Sequence, residues 1–149
     1  MLASLLLILC VSAASASSSA CVAFLETNRH EDGVIVTESG MQYRVITRGT
    51  GTDHPTASSP TTCHYEGHLH TPDGRIFDSS YARGTPATFR PNQVIPGWEE
   101  AMQMMVEGDV WMLYLPSELG YGDRGMLPVR ASPRSPAPFC PSLAPPPMS

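Results

Sequence analysis

Where the prolines fall constrains this chain more than any other feature of it. Fifteen of its 149 residues are proline, and eight of those lie in the last 24, from Met126 to Ser149. Proline has no N–H to give to a ladder, so it cannot serve a central strand. Residues 126–149 are therefore expected to be disordered or polyproline-like. A folded domain has to be built from what precedes them, a length that suits one average domain.

Composition narrows the function classes. Apolar residues make up 42% of the chain, enough for a core, while charged residues are only 15%. The net charge is -5, and the nine Lys and Arg form no run. A nucleic-acid groove needs clustered positive charge, so that class is excluded. No apolar stretch reaches the eighteen or so residues that cross a bilayer, so no membrane span is expected.

The N-terminus has the layout of a secretory signal peptide. Leu2 to Val11 read LASLLLILCV, and the small residues SAASASSSA follow, with Ala14-Ser15-Ala16 as an A-x-A cleavage site. No Lys or Arg precedes the apolar run. The alternative is a short buried helix, but the polar residues that would form its outer face are absent. Residues 1–16 are thus expected to be a signal peptide, with the ER lumen or the exterior as destination and a plastid or periplasm as alternatives. Cleavage would remove Cys10 and leave Cys21, Cys63 and Cys140. That is an odd number, and the sequence does not choose a pair.

Residues 17–40 are polar and weakly patterned and are expected to be a linker. From Met41 to Gly125 the chain looks like a domain. Met41 to Ile46 reads as a strand stopped by Gly49-Thr50-Gly51. Thr62 to Leu69 is a second strand, with Tyr65 and Cys63 inward. Thr71-Pro72-Asp73-Gly74 is a turn, and Arg75 to Asp78 completes a hairpin. After Pro96-Gly97, Trp98, Ala101, Met102 and Met105 share one helical face. Glu99 and Glu100 sit in the first turn, where the helix dipole favours them, and Gly108 is expected to end the helix. Val110 to Leu115 is then a strand closed by Pro116. One short helix among hairpin-linked strands means α+β, with the helix packed on an antiparallel sheet.

Several motifs lead nowhere. Gly120-Tyr121-Gly122-Asp123-Arg124-Gly125 matches G-x-G-x-x-G, but Pro128 forbids the following helix and no acid follows Asp123. His64, His68 and His70 alternate on one strand; without acidic or thiolate company they read as a solvent-facing strand edge, and no metal is expected. Ser79 and Ser80 lack any nucleophile context. Asp78, at a strand end, suits a loop-holding acceptor better than half of a carboxylate pair with Asp73.

The aromatic and aliphatic residues Tyr65, Phe77, Phe89, Val94, Ile95, Trp98 and Tyr121 come from separate segments. With their neighbours they form an ordered set of motifs: His64-Tyr65-Glu66-Gly67, Asp73 to Ser80, Arg83-Gly84-Thr85-Pro86, Val94 to Met102, Gly108-Asp109, and Leu115 to Gly122. This set resembles the FKBP-type peptidyl-prolyl cis-trans isomerases over about 85 residues. The lead-in Ser39 to Tyr43 and Gly49-Thr50-Gly51 is similar to that of secreted and bacterial-type members.

The resemblance implies an antiparallel sheet wrapped around one short helix, with an apolar pocket between them. Trp98 would form the floor, and Tyr65, Phe77, Phe89, Val94 and Ile95 the lining. The Ile95 backbone N–H and the Tyr121 hydroxyl would bind substrate carbonyls. Asp78, held by Arg83 and Tyr65, would sit at the rim. By the same resemblance Tyr65, Asp78, Ile95 and Tyr121 are the catalytic set, and Phe77, Phe89, Val94, Trp98 and Arg83 bind substrate. The implied activity is rotation of X–Pro peptide bonds in folding polypeptides, by a monomer and without a cofactor. FK506- and rapamycin-type macrolides are implied ligands.

Two departures from the family stand out. Ala87 replaces another pocket aromatic, which implies a wider pocket. Beyond Gly125 the family continues into a last strand that pairs inside the sheet and adds an aromatic to the pocket, whereas here the proline-rich tail begins. The final strand is expected to be missing, and an inactive or weakly active binding domain is the alternative function.

Overall fold

The computed structural model describes residues 2–9, 16–69 and 76–122. In chain order the elements are β1 (Leu2–Leu9), α1 (Ala16–Asn28), β2 (Val34–Val36), β3 (Gln42–Thr47), β4 (Thr61–Leu69), β5 (Ile76–Ser79) and β6 (Ala87–Phe89), followed by a 3-10 turn (Pro91–Gln93). Then come α2 (Pro96–Met104), β7 (Val110–Leu115) and a second 3-10 turn (Ser117–Leu119). The strands form one sheet in the order β2-β3-β7-β1-β4-β5, with β6 also paired to β4. All pairings are antiparallel except those of β1, which runs parallel to both β4 and β7.

β7 explains why the sheet needs cover on both sides. Trp111, Met112, Leu113, Tyr114 and Leu115 are all buried in succession. Successive strand residues point to opposite faces, so an unbroken apolar run demands a layer on each. Trp111, Leu113 and Leu115 belong to the main core with Met41, Tyr65, the α2 residues Trp98, Ala101 and Met102, and Met105 just past the helix. Met112 and Tyr114 pack against Phe24 and Leu25 of α1. The apolar face of α2 is the one that the spacing predicts.

α2 comes close to the sheet at Gly97. A β-carbon there would lie 2.5 Å from Leu115 Cδ2 and 2.7 Å from Cδ1. Leu115 is fully buried and has no room to retreat. Gly97→Ala is therefore expected to destabilise the domain by about 1–3 kcal/mol through overpacking, although alanine is worth about 1 kcal/mol more than glycine in an open helix. Chemical denaturation of the two full chains checks this, and a gain in stability would count against the close contact.

Three expectations need correction. The segment read as a linker contains α1 and β2. A polar latch ties α1 down: Asn28 Nδ2 donates to Gln42 Oε1 at 2.8 Å, and Gln42 Nε2 donates to the Leu25 carbonyl at 2.8 Å. Gly108 does not end α2, which stops at Met104 with Met105 already extended. At φ +90° Gly108 instead makes the turn into β7, where Gly49 packs against it. β4 is no edge, since β1 lies on one side and β5 and β6 on the other. Of the histidines on it, His64 stacks on Tyr81 with centroids 4.7 Å apart, and His68 Nε2 pairs with Glu66 Oε1 at 2.8 Å.

β4 and β5 form the expected hairpin, with Gly67 opposite Asp78. Its turn, Thr71 to Gly74, lies outside the described residues, as do His70, Ala14 and Ser15 of the cleavage motif, and the tail from Asp123 onward. The apolar stretch read as a signal peptide or a short helix is a strand from Leu2 to Leu9. Cys63 is a free, buried thiol, and burial pushes its pKa up to about 12. Cys21 is buried and disulfide-bonded.

Candidate active site

Between the sheet and α2 lies a cavity of about 370 Å³ lined by Tyr65, Phe77, Asp78, Phe89, Gln93, Val94, Ile95, Trp98 and Tyr121. Each comes from an element with its own reason to be there. Tyr65 occupies an inward position of β4, where Thr61, Cys63 and Gly67 are the other buried residues. Its backbone is clamped by the fully buried Ser80, which accepts from the Tyr65 N–H at 2.7 Å and donates to the Tyr65 carbonyl at 3.1 Å. Phe77 and Asp78 come from β5, and Phe89 ends β6.

Trp98 closes the bottom. It is 5% exposed, and its ring meets Tyr65 at 5.1 Å and 89° and Phe89 at 5.2 Å and 64°. Tyr65 and Phe89 also meet edge to face, at 5.5 Å and 67°. Three mutually edge-on rings place positive edges against negative faces and fix one another's rotamers. The buried indole Nε1–H has no partner among the described residues.

The rim is polar. The Tyr65 hydroxyl donates to Asp78 Oδ2 at 2.5 Å, and Arg83 Nη2 donates to the Tyr65 hydroxyl at 2.7 Å. Arg83 Nη1 also donates to Asp78 Oδ1, and its guanidinium stands 5.3 Å from the Tyr65 ring centroid. Burial works to raise the Asp78 pKa. The hydrogen bonds from Tyr65 and Arg83, with the Arg83 charge, outweigh that and hold the carboxyl below its ordinary value. The Tyr65 hydroxyl is raised, first by burial and then by its bond to Asp78, with Arg83 opposing. The Tyr121 hydroxyl is raised by burial and by the Asp78 charge. At neutral pH the rim is a carboxylate facing two neutral phenols.

Val94 and Ile95 form the wall just before α2. Ile95 is the residue preceding the helix, extended at φ -63° and ψ 151°, and its carbonyl accepts from the N–H groups of Trp98 and Glu99. Its own N–H makes no hydrogen bond among the described residues, so it is free for a ligand carbonyl. The wall is polar on one side and greasy on the other, which suits an amide flanked by apolar groups.

Eight of the nine residues singled out in the sequence line this cavity. The ninth, Arg83, stands behind the rim and acts on Tyr65 and Asp78. Ala87 packs against the core beside Phe89. Sequence reasoning missed Gln93, the last residue of the turn that Pro91 begins. Its only signal is adjacency to Val94.

The family model for FKBP-type peptidyl-prolyl cis-trans isomerases matches residues 51–140, and the model for the domain amino-terminal to it matches residues 11–45. The FKBP-type 22 kDa peptidyl-prolyl cis-trans isomerase of Escherichia coli (strain K12) is 50% identical over 104 residues, covering 70% of this chain and 49% of that protein. The outer membrane protein MIP of Legionella longbeachae is 45% identical over 104 residues, covering 70% of this chain and 43% of that one. The chain spans about half the length, or less, of these curated relatives. Among solved structures, FkpA from Escherichia coli superposes with a TM-score of 0.68 at 31% identity, over 83% of this chain and 54% of that one. A peptidyl-prolyl cis-trans isomerase from Pseudomonas syringae pv. tomato gives 0.66 at 34% identity, over 76% and 80%.

Proposed function

The chain belongs to the FKBP-type peptidyl-prolyl cis-trans isomerase family, and we propose that it speeds rotation about X–Pro peptide bonds in the cavity above Trp98. The observation that carries this reading is the convergence of Tyr65, Phe77, Phe89, Val94, Ile95, Trp98 and Tyr121 on one hollow with a carboxylate at its rim.

The chemistry asks for this kind of site. Amide resonance sets a rotation barrier of about 18–20 kcal/mol. Rotation makes and breaks no σ bond, so no nucleophile is called for. The planar amide is more polar than the twisted one, and transfer into an apolar hollow disfavours the planar form more. Each 1.36 kcal/mol of such difference is about tenfold in rate.

In this reading Phe77, Phe89, Val94 and Trp98 hold the proline ring. The Ile95 N–H and the Tyr121 hydroxyl donate to carbonyls on either side of the rotating bond. Asp78 faces the carbonyl carbon side of the twisting amide, and Tyr65 and Arg83 keep its carboxylate in place. The substrates are proline-containing polypeptides, taken by a single chain, and FK506-type macrolides compete for the same hollow. The apolar run Leu2 to Val11 with its small-residue sequel supports a destination outside the cytoplasm. The bacterial relatives support the periplasmic alternative and give none to the ER lumen.

A protease-free assay of cis-to-trans conversion in an apolar-X-Pro peptide tests the reading. The full chain should shorten the uncatalysed time of tens to hundreds of seconds, and FK506 should restore it. Soluble, folded protein that leaves the rate unchanged would overturn it.

A further inference from the structure

The sheet order contains a feature that the isomerase reading does not use. β4 and β7 are not neighbours; β1 stands between them. Leu2 to Leu9 pair in parallel with Thr62 to Leu69, and Ser4 to Leu9 pair with Val110 to Leu115. Remove β1, and the pairings left divide the sheet into β2-β3-β7 and β4-β5-β6. The first half carries Trp111, Leu113 and Leu115 beneath α2; the second carries Tyr65, Phe77, Asp78 and Phe89 of the cavity. The split would run beneath the active site.

We propose that the gap between β4 and β7 is a strand-accepting slot whose occupant is this chain's own Leu2–Leu9, so that the apolar N-terminal segment is a structural strand in any chain that retains it. Three observations converge. Each slot wall presents a full edge, eight residues on β4 and six on β7, to one partner. The segment LASLLLIL is apolar at every position but Ser4, the composition of a parallel strand with neighbours on both sides. The tail offers no substitute, because between its prolines no run in residues 126–149 exceeds four residues, and proline cannot donate to a central ladder.

A consequence follows for regulation. Targeting and folding draw on the same residues. A chain processed after Ala16 would have two exposed sheet edges in place of a closed sheet, and exposed edges recruit foreign strands. Retention of the segment keeps the slot closed from within.

The test uses the full chain with paired cysteines and disulfide mapping by mass spectrometry. In the parallel register residue 4 lies beside residue 110, and neighbouring strands are close enough for a disulfide. Ser4→Cys with Val110→Cys should give the 4–110 bridge on mild oxidation, whereas Leu9→Cys with Val110→Cys should give none between those two positions. A 9–110 bridge, or no 4–110 bridge in folded protein, overturns the proposal. Hydrogen exchange supplies a second readout on the unbridged chain. Leu6→Pro should abolish slow exchange at β4 and β7 amides; unchanged protection in that variant, or slow exchange at residues 129–132 of the native chain, overturns the proposal as well.

Discussion

Truncating Trp98 to alanine should cost the full chain about 3–5 kcal/mol of stability, the range for removing a large buried aromatic, and should abolish isomerase activity. The indole is almost wholly buried and is shared by the main core and the cavity floor. Its edge-to-face partners Tyr65 and Phe89 would each lose a contact worth about 0.5–1.5 kcal/mol beyond area. No hydrogen bond to the described residues is lost, since Nε1 has no partner among them. That makes Trp98→Phe a sharp control. It removes the orphaned N–H, keeps a ring and should cost less than the alanine truncation, because it leaves a smaller cavity. Urea denaturation followed by circular dichroism reads the first effect and peptide turnover the second. Typical domains have about 5–15 kcal/mol to lose, so the alanine variant should still fold in the cold, with its activity gone. A loss below about 1 kcal/mol on truncation, a merely average effect, would mean that the indole is no keystone.

What the sequence disclosed, and what it concealed, divides along physical lines. α2 was legible because Trp98, Ala101, Met102 and Met105 fall on one face and Pro96 marks the start. β7 and the β4–β5 hairpin were legible because strands between Pro and Gly punctuation have few alternatives. The site was legible through motif spacing: residues far apart in the chain, such as Tyr65, Phe89 and Tyr121, were placed together by resemblance and are lined up by the fold. α1 was hidden because it has no clean apolar stripe. Phe24 and Leu25 pack inward, Val22 is exposed, and a buried Asn28–Gln42 pair does part of the anchoring. Polar anchoring leaves no hydrophobic period to read.

β1 was hidden for a different reason. A nearly continuous apolar run of about eight residues carries no periodicity, so a buried strand, a buried helix and the apolar centre of a signal peptide look alike. Only the unfilled place in the sheet distinguishes them, and that place exists in three dimensions alone. The histidines illustrate the same point. Alternation put His64 and His68 on one face correctly, but whether β4 was an edge depended on β1.

Replacing Asp109 by alanine should cost about 3–6 kcal/mol, since hydrogen bonds to a charged group contribute about 1.5–3 kcal/mol each and two are lost. Asp109 is 6% exposed. Oδ1 accepts from the Gly49 N–H at 2.7 Å, and Oδ2 accepts from the Val106 N–H at 2.9 Å. One carboxylate thus binds the loop after β3 to the turn between α2 and β7. Alanine leaves both part-buried donors without acceptors, which is the expensive way to lose a hydrogen bond. Asparagine keeps one acceptor oxygen and turns an amide donor toward the other N–H, so it should recover about half of the loss at most. Neither loop contributes to the cavity lining. At temperatures where the variants remain folded, kcat/KM should therefore match the native chain while the urea midpoint falls. Equal drops in both would mean that this clamp reaches the active site. An unshifted midpoint for Asp109→Ala would mean that the two loops hold together without it.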